Sequence, residues 1–234
     1  MNSHDVLDIE LRLTFRLNQS ALPSPSQQGD DVWRFAQRAE HVGFDLNQWF
    51  VMGDPDVPAF NIAGPSDALI ETASGEPGAS SSSTHVWNGL EGTGGAGFGA
   101  TYELKWLSKF DFRAEGFDCL RSYERVAELV VGALEIWPGA VVQVGPYAYS
   151  ATKVFPDRPG VGWMLYLPHT LTPAQVPEAR ALIPVMRDDK QQGTIIVSVT
   201  DEVFDVNNRD HLKVANDIEI RLADQDLLPR FVDL

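Results

Sequence analysis

Glu103-Leu104-Lys105 has residue types and spacing that match a known arrangement for hydrolysis. In E-x-K nucleases two carboxylates hold a divalent metal and the lysine polarises the attacking water. Asp56, after Pro55, would supply the upstream acid. The gap between the two acids is long, and alternation along a strand puts Glu103 and Lys105 on a face that solvent alone could explain. The chain also carries 33 acidic and 18 basic residues, a net charge of −15. Such a balance disfavours the basic cleft a nuclease offers its substrate, and with it direct nucleic-acid binding. The metal-dependent nuclease built on Asp56, Glu103 and Lys105 therefore stands as an alternative only.

Other chemistry is thinner. Cys119 is the single cysteine, so neither an internal disulfide nor a thiolate metal cluster is expected, and no activating partner adjoins it. The histidines at 4, 41, 85, 169 and 211 are scattered, with no pair at ligand spacing. Gly92-Thr93-Gly94-Gly95-Ala96-Gly97 matches G-x-G-x-x-G, but a phosphate cradle needs a strand before it and a helix after it. Here a strand follows, and no H-R-D or D-F-G accompanies it as in a kinase. No catalytic residue, metal or cofactor is expected.

Charge placement is more informative. From Arg38 to Lys105 there is no Lys or Arg, yet the interval holds Asp45, Asp54, Asp56 and Glu71 among other acids. A solubilising surface usually mixes both signs, so this one-signed interval reads as a surface for a basic partner. The turn Gly53-Asp54-Pro55-Asp56 is its expected centre, with Asp45 and Glu71 in support.

The elements that must position these residues follow from periodicity. Leu7 to Leu17 alternates strictly between apolar and polar, the strongest strand signal in the chain. Asp30 or Asp31 would cap a helix to about His41, and Ser66 or Asp67 a short one at 68–72. Short strands are expected at 48–52 and 101–107, with a helix over 120–134 ended by Trp137-Pro138-Gly139. Strands at 141–144, 162–167 and 194–199 precede a last helix capped by Asp205, Asn207 or Asn208. The Gly/Ser/Ala-rich stretch 73–99 reads as a flexible surface excursion, pinned at Trp87. With 44% hydrophobic residues the chain can build a real core. The expected class is α+β: a single domain over 1–234, an antiparallel or mixed sheet with packed helices. No secretory signal or apolar run of about 18 residues is seen, so a cytoplasmic protein without membrane contact is expected.

Three segments carry a resemblance: Phe44-Asp45-Leu46-Asn47-Gln48-Trp49-Phe50-Val51-Met52-Gly53, the run from Val154 to Pro168 around Pro156-Asp157-Arg158-Pro159-Gly160-Val161-Gly162-Trp163, and Gly193-Thr194-Ile195-Ile196-Val197-Ser198 with Asn216-Asp217-Ile218-Glu219 in the closing helix. Together they resemble the Immunity protein 52 family of bacterial polymorphic-toxin systems, which includes antidotes of type VI secretion effectors. The resemblance spans about 7–228 and omits 73–99. It implies a one-domain α+β protein that binds and inactivates a cognate nuclease toxin, often of restriction-endonuclease-like fold with a basic cleft. The shared residues are of packing type, so the resemblance transfers no catalytic role. Beside this immunity reading stand a generic acidic adaptor for another basic protein and the nuclease above.

Overall fold

The computed structural model describes residues 7–73, 78–139 and 141–234. The alternating N-terminal segment forms β1 (Asp8–Phe15), with Ile9, Leu11, Leu13 and Phe15 buried on one face. It lies at the centre of a nine-stranded sheet. Its neighbours are β7 (Ser108–Glu115) and β8 (Val141–Gly145), both antiparallel. Outward from β7 come β6 (Ala96–Glu103), β5 (Ser81–Trp87) and the two-residue edge strand β2 (Phe50–Val51). Outward from β8 come β9 (Met164–Leu167), β11 (Lys190–Val197) and the edge strand β10 (Ala181–Arg187). All these ladders are antiparallel, and a separate small hairpin pairs β3 (Phe60–Asn61) with β4 (Gly64–Pro65). The fold is a single-domain α+β architecture, as its sequence pattern implies.

Two helices cover one face of β1, β6 and β7: α1 (Pro25–Glu40) and α3 (Tyr123–Ile136). Phe35 of α1 meets Phe98, Phe110, Phe112 and Trp137, so the helix is riveted to the sheet through an aromatic cluster. The short α2 (Asp67–Thr72), capped by Ser66, rests on α1 where Gly29 leaves room for Pro65 and Ile70. On the opposite face the segment 146–162 reaches β8, where the Gly160 amide donates to Gln143 Oε1, and α4 (Arg209–Asp224), capped by Asn208, is tied to that segment through Glu219.

Three expectations need correction. Helix α1 begins at Pro25 and not near Asp30; Ser24 Oγ accepts from the Gln27 amide and Pro25 occupies the first turn, where its missing N–H costs nothing. Asp31 instead lies inside the helix and is buried. The strand expected at 101–107 is in fact β6, which ends at Glu103, followed by β7 from Ser108, with Leu104 to Leu107 as their turn. The 73–99 stretch is no excursion: it supplies β5 and the start of β6, interior strands of the sheet. Residues 74–77 of that stretch lie outside the described residues. Its strand glycines, Gly97 and Gly99, serve close packing. A Cβ on Gly99 would sit 2.4 Å from His85 Cδ2 and 2.3 Å from the Thr84 carbonyl oxygen, so only glycine fits beneath the imidazole.

Candidate interaction surface

The acidic turn is built by β2 and its return. Val51 closes it through hydrogen bonds from the Asp54 amide to the Val51 carbonyl and from the Val51 amide to the Val57 carbonyl. Asp54 Oδ1 accepts from the Asp56 amide, so one carboxylate stiffens the turn that carries the other. Gly53, at φ +87°, permits the reversal. Both aspartates are exposed, and Asp56 has no ion-pair partner among the described residues. Pro55 leans towards Gly89, which sets the turn beside the 88–95 loop and its exposed Leu90.

The structure gathers Asp54 and Asp56 but not all four expected acids. Asp45 is exposed ahead of the short 3-10 turn Leu46–Gln48, and Glu71 is exposed on α2. Among the described residues, no hydrogen bond or ion pair links either to the turn. The nuclease constellation is separated outright. Glu103 pairs with Ser81 at one end of the seven-residue β5 and accepts from Ser81 Oγ at 2.8 Å. The Asp56 turn adjoins Gly89 beyond the other end, about 20 Å away at a strand's rise. Lys105 is exposed in the β6–β7 turn rather than on a strand face. One metal ion cannot bridge these residues.

Remaining reactive side chains have structural partners or settings. Burial pushes the Cys119 thiol up, against nucleophile activation. His211 accepts from the Asp205 amide at Nδ1 and pairs with Glu202 through Nε2 at 2.9 Å. Asp31 is held by Tyr102 Oη and Gln27 Nε2, each donating at 2.9 Å, while Trp137 Nε1 donates to Tyr102 Oη. Burial raises the Asp31 carboxyl, partly offset by these donors. The same burial, with Asp31 beside it, drives the Tyr102 hydroxyl well above its usual range. This chain ties α1, β6 and α3 together. Among the described residues no three His, Cys, Asp or Glu side chains converge as metal ligands.

The second half of the surface had no signal in the linear sequence. Register places His85, Gly99, Asp111, Arg12 and Gln143 in one row across β5, β6, β7, β1 and β8. Trp87, Gly97, Arg113 and Glu10 form the next row. Arg12 binds Asp111 at 2.9 Å and Glu10 at 2.6 Å, and Arg113 approaches Asp8 at 3.3 Å. Burial raises the Glu10 carboxyl, with Arg12 pulling it back. These rows point away from α1 and α3, into solvent over β5–β7. Alternation along β7 and β1 gives each residue's face, but the rows exist only once strands remote in sequence are paired.

No family model matches the chain, and no curated protein matches it. Among solved structures the chain is similar to Pseudomonas aeruginosa T6SS protein PA0821, at 12% identity and a TM-score of 0.54, over 92% of this chain and 73% of that one. That likeness shows a shared fold with a protein associated with type VI secretion. No helix among the described residues is long and apolar enough to cross a membrane.

Proposed function

We propose that the protein is an immunity protein that binds and neutralises a basic secreted toxin, a nuclease in the reading the residues resemble, within the cytoplasm of the producing cell. The observation that carries this reading is the Asp54–Asp56 turn: two exposed carboxylates on a hydrogen-bonded scaffold beside exposed Met52 and Leu90. Fixed carboxylates lose little freedom on binding, and apolar neighbours supply the contact a charged rim cannot. The net charge of −15 would steer a basic cleft towards this surface. The shared fold with a T6SS protein agrees with that setting. In this reading the chain has no hydrolytic activity of its own.

The test is co-expression with the protein encoded beside it. Rescue of growth, together with a stable complex of the two purified proteins, is the expected result. A partner that is basic but harmless would favour an adaptor. Mg²⁺-dependent cleavage by this chain alone would overturn the reading altogether.

A further inference from the structure

We infer that the trough on the solvent face of β5, β6 and β7 is the docking cleft for a basic side chain of the partner, with the Asp54–Asp56 turn as its rim. This rests on, and deepens, the immunity reading. The trough is an open hollow of about 440 Å³. Gly95 and Gly97 line its floor; the Leu90 and Gly92 carbonyls crowd the side-chain position of Gly95, and the Val86 carbonyl that of Gly97. Trp87 and His85 wall it on β5, and Asp111, Arg113 and Glu115 wall it on β7. Met52 and Leu90 stand at its mouth, 52% and 57% exposed.

Charge selects the occupant. Arg113, the one cation among these lining residues, is already engaged by Asp8. Glu115 and Glu91 line the same hollow, and neither has an ion-pair or side-chain hydrogen-bond partner among the described residues. Asp54 and Asp56 add two more carboxylates nearby. A guanidinium or ammonium entering beside Glu91 and Glu115, past the Asp8-engaged Arg113 that flanks Gly97, would therefore meet uncompensated negative charge there and the Trp87 ring on the opposite wall. Carboxylate pairing and cation–π contact both favour it there. Apolar stems of Arg or Lys would rest on Met52 and Leu90. An acidic or purely apolar partner segment would leave Glu91 and Glu115 unpaired, and so fits less well.

Two measurements test the cleft. A hexa-arginine peptide titrated into the wild-type protein should shift the amide signals of Gly95 and Gly97 and the Trp87 indole signal. A Glu91→Lys/Glu115→Lys variant, changed only at side chains outside the core, should lose those shifts. The same variant should weaken the complex with the neighbouring toxin about 30-fold or more. Glu128→Lys, exposed on α3 at the far face of the sheet, should leave that affinity within about threefold, as for a rim charge away from the contact. Peptide shifts confined to other surfaces, or wild-type affinity for the toxin in the double variant, would overturn the cleft. If wild-type protein fails to bind the toxin, the immunity reading falls, and the peptide shifts alone decide the cleft.

Discussion

Glu219 accepts a 2.6 Å hydrogen bond from the Tyr149 hydroxyl in the protein interior, with no solvent exposure at the carboxylate. The amides of Val154 and Val161 donate to the same carboxylate at 2.8 and 2.9 Å. One side chain on α4 thus fastens both ends of the 154–161 loop. Glu219→Ala takes the acceptor from the buried Val161 amide and the part-buried Val154 amide, while the Tyr149 hydroxyl keeps Asn216 Oδ1 at 3.2 Å, and a loss of about 2–4 kcal/mol is expected. Glu219→Gln keeps the shape but turns an N–H₂ towards an amide donor, so about 1–3 kcal/mol should go. Urea midpoints at unchanged slope would show it; a Gln variant as stable as wild type would contradict this account.

Two tryptophans separate packing from hydrogen bonding. Trp49 and Trp163 are each 1% exposed, and truncation of either to Ala should cost about 3–5 kcal/mol. Trp163 Nε1 donates to the Val199 carbonyl at 2.9 Å, whereas Trp49 Nε1 has no partner among the described residues. Replacement by Phe should therefore cost about 1–3 kcal/mol more at position 163, where it orphans a buried carbonyl. Equal losses in the two Phe variants would show that the Trp163 hydrogen bond adds nothing.

His85 gives stability a pH slope. Its imidazole lies over Gly99, and burial lowers its pKa from 6.5 while Asp111 partly restores it. The unfolded chain therefore takes up the proton first as pH falls. Stability should drop below about pH 6.5 and level off beneath the folded-state value. Asp31 and Glu10 act oppositely: their raised folded pKa values give stability that is full below their unfolded values and lost as pH rises. The difference between wild type and His85→Asn isolates the histidine. That difference should change between pH 7 and 5; a flat difference contradicts the assignment.

The acidic turn should act on the association rate. Asp54→Asn/Asp56→Asn should slow toxin binding at low salt, and the gap from wild type should narrow as the Debye length falls from about 10 Å at 0.1 M to 3 Å at 1 M. Surface kinetics at the two salts decide it. Rates equal to wild type at both would remove this turn from the interface.

Local signals made much of the fold legible. The alternation of β1, the Ser66 cap of α2, the apolar stripe of α3 and the Asn208 cap of α4 all stand where the residues imply. Where the reading failed, tertiary contact had overridden local habit. Gly97 and Gly99 look like loop residues, yet they sit in an interior strand because neighbouring side chains and backbone occupy the space a Cβ would need. Pro184 hid β10, a strand that tolerates proline because it is an edge with a bulge after Val185. At the candidate site the acidic turn was visible as a run of residue types. The trough beside it was not, because Trp87, Gly97 and Arg113 become neighbours only through register.

The place of β1 in the middle of the sheet has a consequence for synthesis. Its two partners are β7 and β8, and Asp8 waits for Glu115. At about 5–20 residues per second on the ribosome, the first strand spends roughly 5–20 s without a ladder on either side. Through that interval Ile9, Leu11, Leu13 and Phe15 form an uncovered apolar ribbon on the nascent chain. Such a ribbon, with both edges unpaired, is a template for mispairing until β7 emerges, and a surface of the kind that chaperones cover.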